Sequence, residues 1–185
     1  MRVLALADKR PPVDPAEMAR QMSVDAVFCL GDLDRAWIES LMSLELPRYG
    51  VHGNHDPDHI LRELEIEDLH LRRTQTHGMT IVGFEGCVRY RQGATHQYTQ
   101  KEASKLARRL PAADVLLCHC PPLGINDDPE DPAHIGFEGL RDWVDEHHPR
   151  HVLHGHTHPL PGQTINRYGD TFVHWISGAK VLDLR

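Results

Sequence analysis

The sequence predicts an α/β fold built on a largely parallel sheet, and three observations carry that prediction. Short apolar runs alternate with helical patterns through the first half of the chain, the arrangement of β-α-β units. Five of those runs lead directly into a residue able to bind a metal: Val3–Ala7 into Asp8, Ala26–Leu30 into Gly31-Asp32, Tyr49–His52 into Gly53-Asn54-His55-Asp56, Val115–Cys118 into His119, and Val152–His154 into Gly155-His156-Thr157-His158. The carboxyl ends of strands in an open α/β sheet face one crevice, so residues just beyond five strand ends can converge on one point. At 185 residues the chain fits one domain, expected to span 1–185.

Taken in order, Val3–Ala7 is the first strand, because the run is too short for a signal peptide and stops at Asp8-Lys9-Arg10. Asp14-Pro15-Ala16-Glu17 supplies an N-cap, a proline at the first helical position and a glutamate at the third, starting a helix that runs to about Met22. After the second strand, Asp34 caps a helix with Ile38, Leu41 and Met42 on one face, ended by Pro47. Thr99-Gln100-Lys101-Glu102 is a capping box, and Ala103, Leu106, Ala107 and Leu110 follow at helical spacing until Pro111. Phe137, Leu140, Trp143 and Val144 form a further apolar stripe that stops before Pro149 and reads as core. From Gln163 onward, period-two runs around Thr164–Arg167 and Thr171–Ile176 flank Tyr168-Gly169-Asp170 and predict an antiparallel hairpin, followed by a last strand near Lys180–Leu184.

Apolar residues make up 40% and charged residues 25% of the chain, values of a soluble globular protein with a sizeable core. The net charge of −7 gives no positive field for a phosphate polymer, so bulk nucleic-acid binding is not expected. No run is long enough to cross a bilayer, so no membrane partner is expected and the expected location is cytoplasmic. Cys29, Cys87, Cys118 and Cys120 lack C-x-x-C spacing and read as buried small hydrophobes. Phe172 and Trp175 fit core packing and an interface equally, so the oligomeric state is left open.

Asp, Asn and His form an oxygen and nitrogen donor set suited to manganese, iron or zinc and poorly suited to soft copper. In an extended segment the side chains of His156 and His158 emerge on one face. Singly, Gly-Asp and Gly-Asn are common turn pairs and Gly-His-Thr-His is an ordinary polar loop. Together with His119, each placed after an apolar run, they point to a metal site.

The ordered set Asp8, Gly31-Asp32, Gly53-Asn54-His55-Asp56, His119 and Gly155-His156-Thr157-His158 resembles the calcineurin-like metallophosphoesterase superfamily nearly end to end. The stretch His119-Cys120-Pro121-Pro122-Leu123-Gly124 with His134-Ile135-Gly136 is similar to its small bacterial and archaeal phosphoesterase subgroup. The resemblance implies a four-layer α/β/β/α sandwich and one or two divalent ions, Mn2+ ahead of Fe or Zn2+. It also implies that Asp8, Asp32 and His158 hold one ion and that Asp32, Asn54, His119 and His156 hold the other. His55, outside that set, is implied to assist the leaving group while a metal-activated hydroxide attacks phosphorus.

Two positions depart from the family pattern. Where Asp-x-His is expected, Asp8-Lys9-Arg10 stands, and a guanidinium cannot coordinate a metal, so the first ion loses a ligand. Arg10 either clamps the substrate phosphate or turns out to solvent. Where the usual second aspartate is expected, Arg35 stands, with Asp34 one residue early and already explained as an N-cap. His134 is a second candidate for substrate contact, on a loop whose Asp127-Asp128 and Glu130-Asp131 make it an acidic rim.

The leading functional expectation is a metal-dependent phosphohydrolase acting on a small phosphoester, with a diester slightly preferred because it brings less negative charge to an acidic protein. The alternative is a catalytically impaired scaffold of the same fold that binds protein, for which Arg10 is the first sign. Clustered carboxylates and imidazoles are costly without a metal, which weighs against it. A metal-storage protein ranks third, since storage does not call for His55 beside the ligand set.

Overall fold

The computed structural model describes residues 1–160 and 162–185. The chain begins with β1 (Arg2–Ala7), α1 (Pro15–Gln21), β2 (Ala26–Cys29), α2 (Arg35–Ile38), β3 (Arg48–Gly50), α3 (Ile60–Glu63) and β4 (Glu67–Asp68). It continues through β5 (Arg73–Thr76), β6 (Met79–Phe84), β7 (Cys87–Val88), β8 (Gln97–Tyr98), α4 (Gln100–Ala107) and β9 (Val115–Cys118). It closes with α5 (Glu138–His147), β10 (His151–His154), β11 (Arg167–Tyr168), β12 (Thr171–Trp175) and β13 (Gly178–Asp183).

One sheet has the order β13-β1-β2-β3-β4, parallel except for β13, which runs antiparallel to β1. The other has the order β11-β12-β10-β9-β6-β5, parallel in its centre with antiparallel strands at both edges. Residues of β1 alternate between two cores: Val3, Ala5 and Ala7 pack inward with Phe28, Ile81, Val115, Leu117 and Leu153, between the sheets. Leu4 and Leu6 face the opposite way, against Ala16, Ala19, Ile38, Ile60 and Leu61 of the outer helices. On the far side Val82, Phe84, Leu116 and Val152 meet Ala103, Ala107, Leu140, Trp143 and Val144. The result is the four-layer α/β/β/α sandwich, and strands covered on both faces explain the unbroken apolar runs.

The caps hold where the chemistry demands them. Asp14 accepts from the Glu17 amide at 2.9 Å, Asp34 from the Ala36 amide at 2.8 Å, and Thr99 and Glu102 form a reciprocal capping box. The helix after Asp34 differs from expectation, because it tightens to a 3-10 turn over Glu39–Ser43. Three residues per turn keep Leu41 in the core and swing Met42 out to 41% exposure. The C-terminal hairpin is also shorter than its alternation suggests: the backbone N–H and C=O of Ile165 bond to the Asn126 side chain, and only Arg167–Tyr168 pairs with β12. The last strand starts earlier than expected, at Gly178. Among the described residues, no helix is long and apolar enough to cross a membrane.

Candidate metal centre

Asp8, Asp32 and His156 sit one or two residues beyond β1, the β2 run and β10, each in the left-handed region at φ 60°, 53° and 65°. Such a conformation is uncommon outside glycine and is strained, and here it turns three side chains sharply off their strands. The neighbouring glycines are there for clearance. A Cβ on Gly53 would lie 2.1 Å from Asp32 Oδ1, and one on Gly155 would lie 2.7 Å from Asp8 Oδ2.

One oxygen of Asp8, one of Asp32 and a ring nitrogen of His119 lie within 4.8 Å of one another. Around them, Asp8, Lys9, Asp32, Asn54, His55, Tyr90, Ala133, His134, His156 and His158 line an open cavity of about 400 Å³. The structure thus brings His55, His134, His156 and His158 to the same cavity as the buried group. Arg10 is not brought there. It lines a separate depression with Pro11, Pro12 and Trp37, while Lys9, whose backbone N–H donates to the Ala7 carbonyl across the turn at Asp8, lines the cavity.

His119, fully buried, is fixed by its neighbours. Its Nδ1 lies 2.7 Å from the Leu30 carbonyl, which can only accept, so Nδ1 carries a proton and Nε2 points at Asn54 Oδ1 (3.0 Å) and Asp32 Oδ2 (3.5 Å). Anchoring one ring nitrogen on a backbone carbonyl to aim the other inward is how a metal-binding imidazole is oriented. His156 has the complementary arrangement, with Nε2 donating to the Ala133 carbonyl at 2.7 Å and Nδ1 left free. The rings of His119 and His156 are tilted by 52° at 4.8 Å, so their in-plane lone pairs can converge.

The electrostatics are those of a site short of positive charge. Burial pushes the Asp8 carboxyl up to about 6, with Asp32 and Asp56 adding to the rise and His119 opposing it. Burial acts the same way on Asp32, but the hydrogen bond and charge of His119 outweigh it and hold that carboxyl at about 2. Against its own burial, His119 is raised to about 9 by Asp32 and Asp8. Burial drops His156 to about 3, so the ring stays neutral and its Nδ1 stays available. The proton on His119 supplies the missing positive charge; a divalent ion would take over that role, and the donor set of carboxylate oxygens and imidazole nitrogens fits one.

Asp56 ties the loops together. Its carboxylate accepts from the amides of Asp32 (2.9 Å), Leu33 (3.1 Å) and Gly53 (2.7 Å), stapling the end of the β2 run to the loop after β3. The His55 amide in turn donates to Asp32 Oδ1 at 2.9 Å, while its exposed side chain lines the cavity outside the ligand group. Sequence reasoning places Asp56 within its motif without assigning this role, and it misses Lys9 and Tyr90 as cavity residues. Lys9 is legible as the neighbour of Asp8, whereas nothing near Tyr90 in the sequence marks it. Asp34 caps α2 through the Ala36 amide, and among the described residues no hydrogen bond joins it to His55.

A second buried group of metal-ligand types lies behind the loop. His52, Glu85 and His96 also place donor atoms within 4.8 Å of one another. Glu85 Oε2 stands 3.1 Å from His52 Nδ1 and 3.3 Å from His96 Nδ1, and Oε1 accepts from the Tyr98 hydroxyl and faces His70 Nε2 at 3.7 Å. Burial acts to raise this carboxyl, yet the surrounding donors hold it well below the ordinary range.

The family model of the calcineurin-like phosphoesterase superfamily domain matches residues 1–174, and the chain belongs to that superfamily of phosphoester hydrolases. Among solved structures, TT1561 of Thermus thermophilus is 16% identical, with 100% of this chain and 99% of that one covered at a TM-score of 0.69. A hypothetical protein from Thermus thermophilus is 18% identical, covering 96% and 76% at a TM-score of 0.54. At these identities the likeness is one of fold. Among curated proteins, no sequence matches the chain.

Proposed function

We propose that the chain is a metal-dependent hydrolase of small phosphoesters, with diesters preferred over monoesters. The observation that carries this reading is the aim of His119: its proton is spent on the Leu30 carbonyl, and its second nitrogen looks at Asp32 and Asn54 on the floor of an open cavity. Asp8, Asp32, Asn54, His119, His156 and His158 would hold the ion or ions, with manganese favoured over iron or zinc. Bound there, a divalent ion supplies Lewis acidity toward a phosphoryl oxygen and lowers the pKa of water.

The chain's own groups divide the remaining work. His55, beside the ligand set and outside it, delivers a proton to the departing oxygen. Lys9 replaces Arg10 as the cation facing the cavity and offers its ammonium to the phosphate. His134, bonded through Nδ1 to Asp131 at 2.6 Å, presents its other nitrogen beside His156 and His158, where a substrate oxygen would meet it.

The test is an assay of stripped and manganese-reloaded protein on one aryl phosphodiester and the matching monoester, with Asp32→Ala as the blank. Metal-dependent turnover that disappears in the variant, faster on the diester, is the expected result. Folded protein with no turnover above the blank would transfer the reading to a protein-binding scaffold.

A further inference from the structure

We propose that Tyr90 is a substrate-binding residue whose phenol donates a hydrogen bond to a phosphoryl oxygen, and that the buried cluster around Glu85 positions it. This rests on the phosphoesterase reading above. The amide nitrogen of Asn54 lies 3.2 Å from the Tyr90 hydroxyl. An amide nitrogen only donates, so the phenol oxygen accepts and its own proton must point elsewhere. Among the described residues that proton has no protein acceptor, and Tyr90 lines the cavity together with Lys9, Asp32 and His55. An anionic oxygen over Asp32 and Asn54 is the acceptor this geometry provides for. The same contact keeps Asn54 Oδ1 turned toward His119, so one hydroxyl links the amide's orientation to the bound anion.

Tyr90 stands on an irregular segment, and its placement is built from beneath. The backbone amides of Tyr90 and Arg91 donate to Oε1 of the buried Gln97 at 3.3 Å and 3.2 Å, and the Arg89 guanidinium holds the Gln97 carbonyl. Gln97 belongs to β8, whose neighbours His96 and Tyr98 both bind Glu85. The Glu85 carboxylate therefore anchors the strand that carries the clamp on Tyr90, and through His52 it anchors the residue preceding Gly53-Asn54 as well. In this arrangement the cluster is an anchor: the rings of His52 and His96 stack at 4.6 Å with 4° between their planes, and the Nδ1 atoms of both are directed at Glu85 Oε2, at 3.1 Å and 3.3 Å.

The experiment measures inorganic phosphate binding by calorimetry to wild type and Tyr90→Phe, each at a manganese concentration saturating for that variant by its own titration. Tyr90 is partly exposed, so the variant folds. The expected result is manganese affinity close to wild type and phosphate affinity weakened roughly tenfold or more, the worth of a hydrogen bond to a charged group. Gln97→Ala, which keeps the hydroxyl and removes the clamp, should weaken phosphate in the same direction. Equal phosphate affinity in wild type and Tyr90→Phe would overturn the role of Tyr90 while leaving the phosphoesterase reading in place. A wild-type protein that binds manganese and no phosphate would overturn both.

Discussion

Two groups of histidines and carboxylates in this molecule bring ligand atoms together, and they are arranged differently. Around Asp32, the imidazoles are tilted, their second nitrogens are tied to the Leu30 and Ala133 carbonyls, and the free donors face an open cavity. Around Glu85, the imidazoles of His52 and His96 stack in parallel and each turns its Nδ1 to one carboxylate that a tyrosine also binds, while His96 Nε2 faces Asp58 at 3.0 Å. Distance alone does not separate the two, since donor atoms fall within 4.8 Å in both. The tilt of the rings does, and around Asp32 it is set by the backbone carbonyls of Leu30 and Ala133, 89 and 23 residues from the histidines they hold.

The contrast breaks most sharply under substitution of the central carboxylates. Asp32→Ala should remove metal binding and turnover altogether, a larger loss than the ~10–100-fold cost of an outer partner. Glu85→Ala should leave the metal stoichiometry untouched and instead lower unfolding free energy by about 3–5 kcal/mol, the cost of stranding charged partners in a buried network. Elemental analysis and urea unfolding read the two effects, and loss of a metal equivalent in Glu85→Ala would erase the distinction. His55→Ala comes next, with turnover down by ~10²–10⁴ at unchanged metal content. Metal loss in that variant would move His55 into the ligand set.

The clusters should also titrate in opposite senses in metal-free protein. Asp8 has a folded pKa raised from 3.8 to about 6, so it favours the folded state below 3.8 and that contribution is lost as pH rises through 6. Glu85 is depressed, so its contribution is present above about 4.5 and is lost as pH falls from there. Asp8→Asn should therefore stabilise the metal-free protein at pH 7 by about 3 kcal/mol, the free-energy equivalent of its raised pKa, while Glu85→Gln destabilises it. Unfolding curves from pH 4 to 8 that move in the same direction for both variants would contradict this. The smallest contrast is between neighbours: Lys9→Ala should raise KM roughly tenfold through the lost charge-assisted contact, and Arg10→Ala should leave it unchanged.

What the sequence could show follows from the same physics. Strands buried on both faces write unbroken apolar runs, and a ligand after each run is visible as a motif, so Asp8, Asp32, Asn54, His119 and His156 can be grouped before any coordinates. Caps such as Thr99-Glu102 are equally local. The segment from Glu67 to Tyr98 carries a weaker signal: Met79–Phe84 is a buried apolar strand, but the strands around it are two residues long or, like Arg73–Thr76, polar and half exposed at a sheet edge. Tyr90, Glu85 and the histidines around them are therefore invisible as a unit. Arg10 reads as a competitor for the cavity because spacing places it near Asp8, and spacing does not encode the left-handed turn at Asp8 that faces Lys9 inward.

β13 crosses from the end of β12 to the opposite sheet and pairs along the whole of β1, from Arg2 opposite Asp183 to Ala7 opposite Gly178. During vectorial synthesis the apolar strand that leads into Asp8 therefore waits, with one edge open, for a partner about 180 residues later. Pairing of such high contact order is slow, and an open apolar edge in the interval is an aggregation hazard. β13 thus closes the edge of the strand that carries Asp8 and ties the placement of that side chain to a pairing of high contact order.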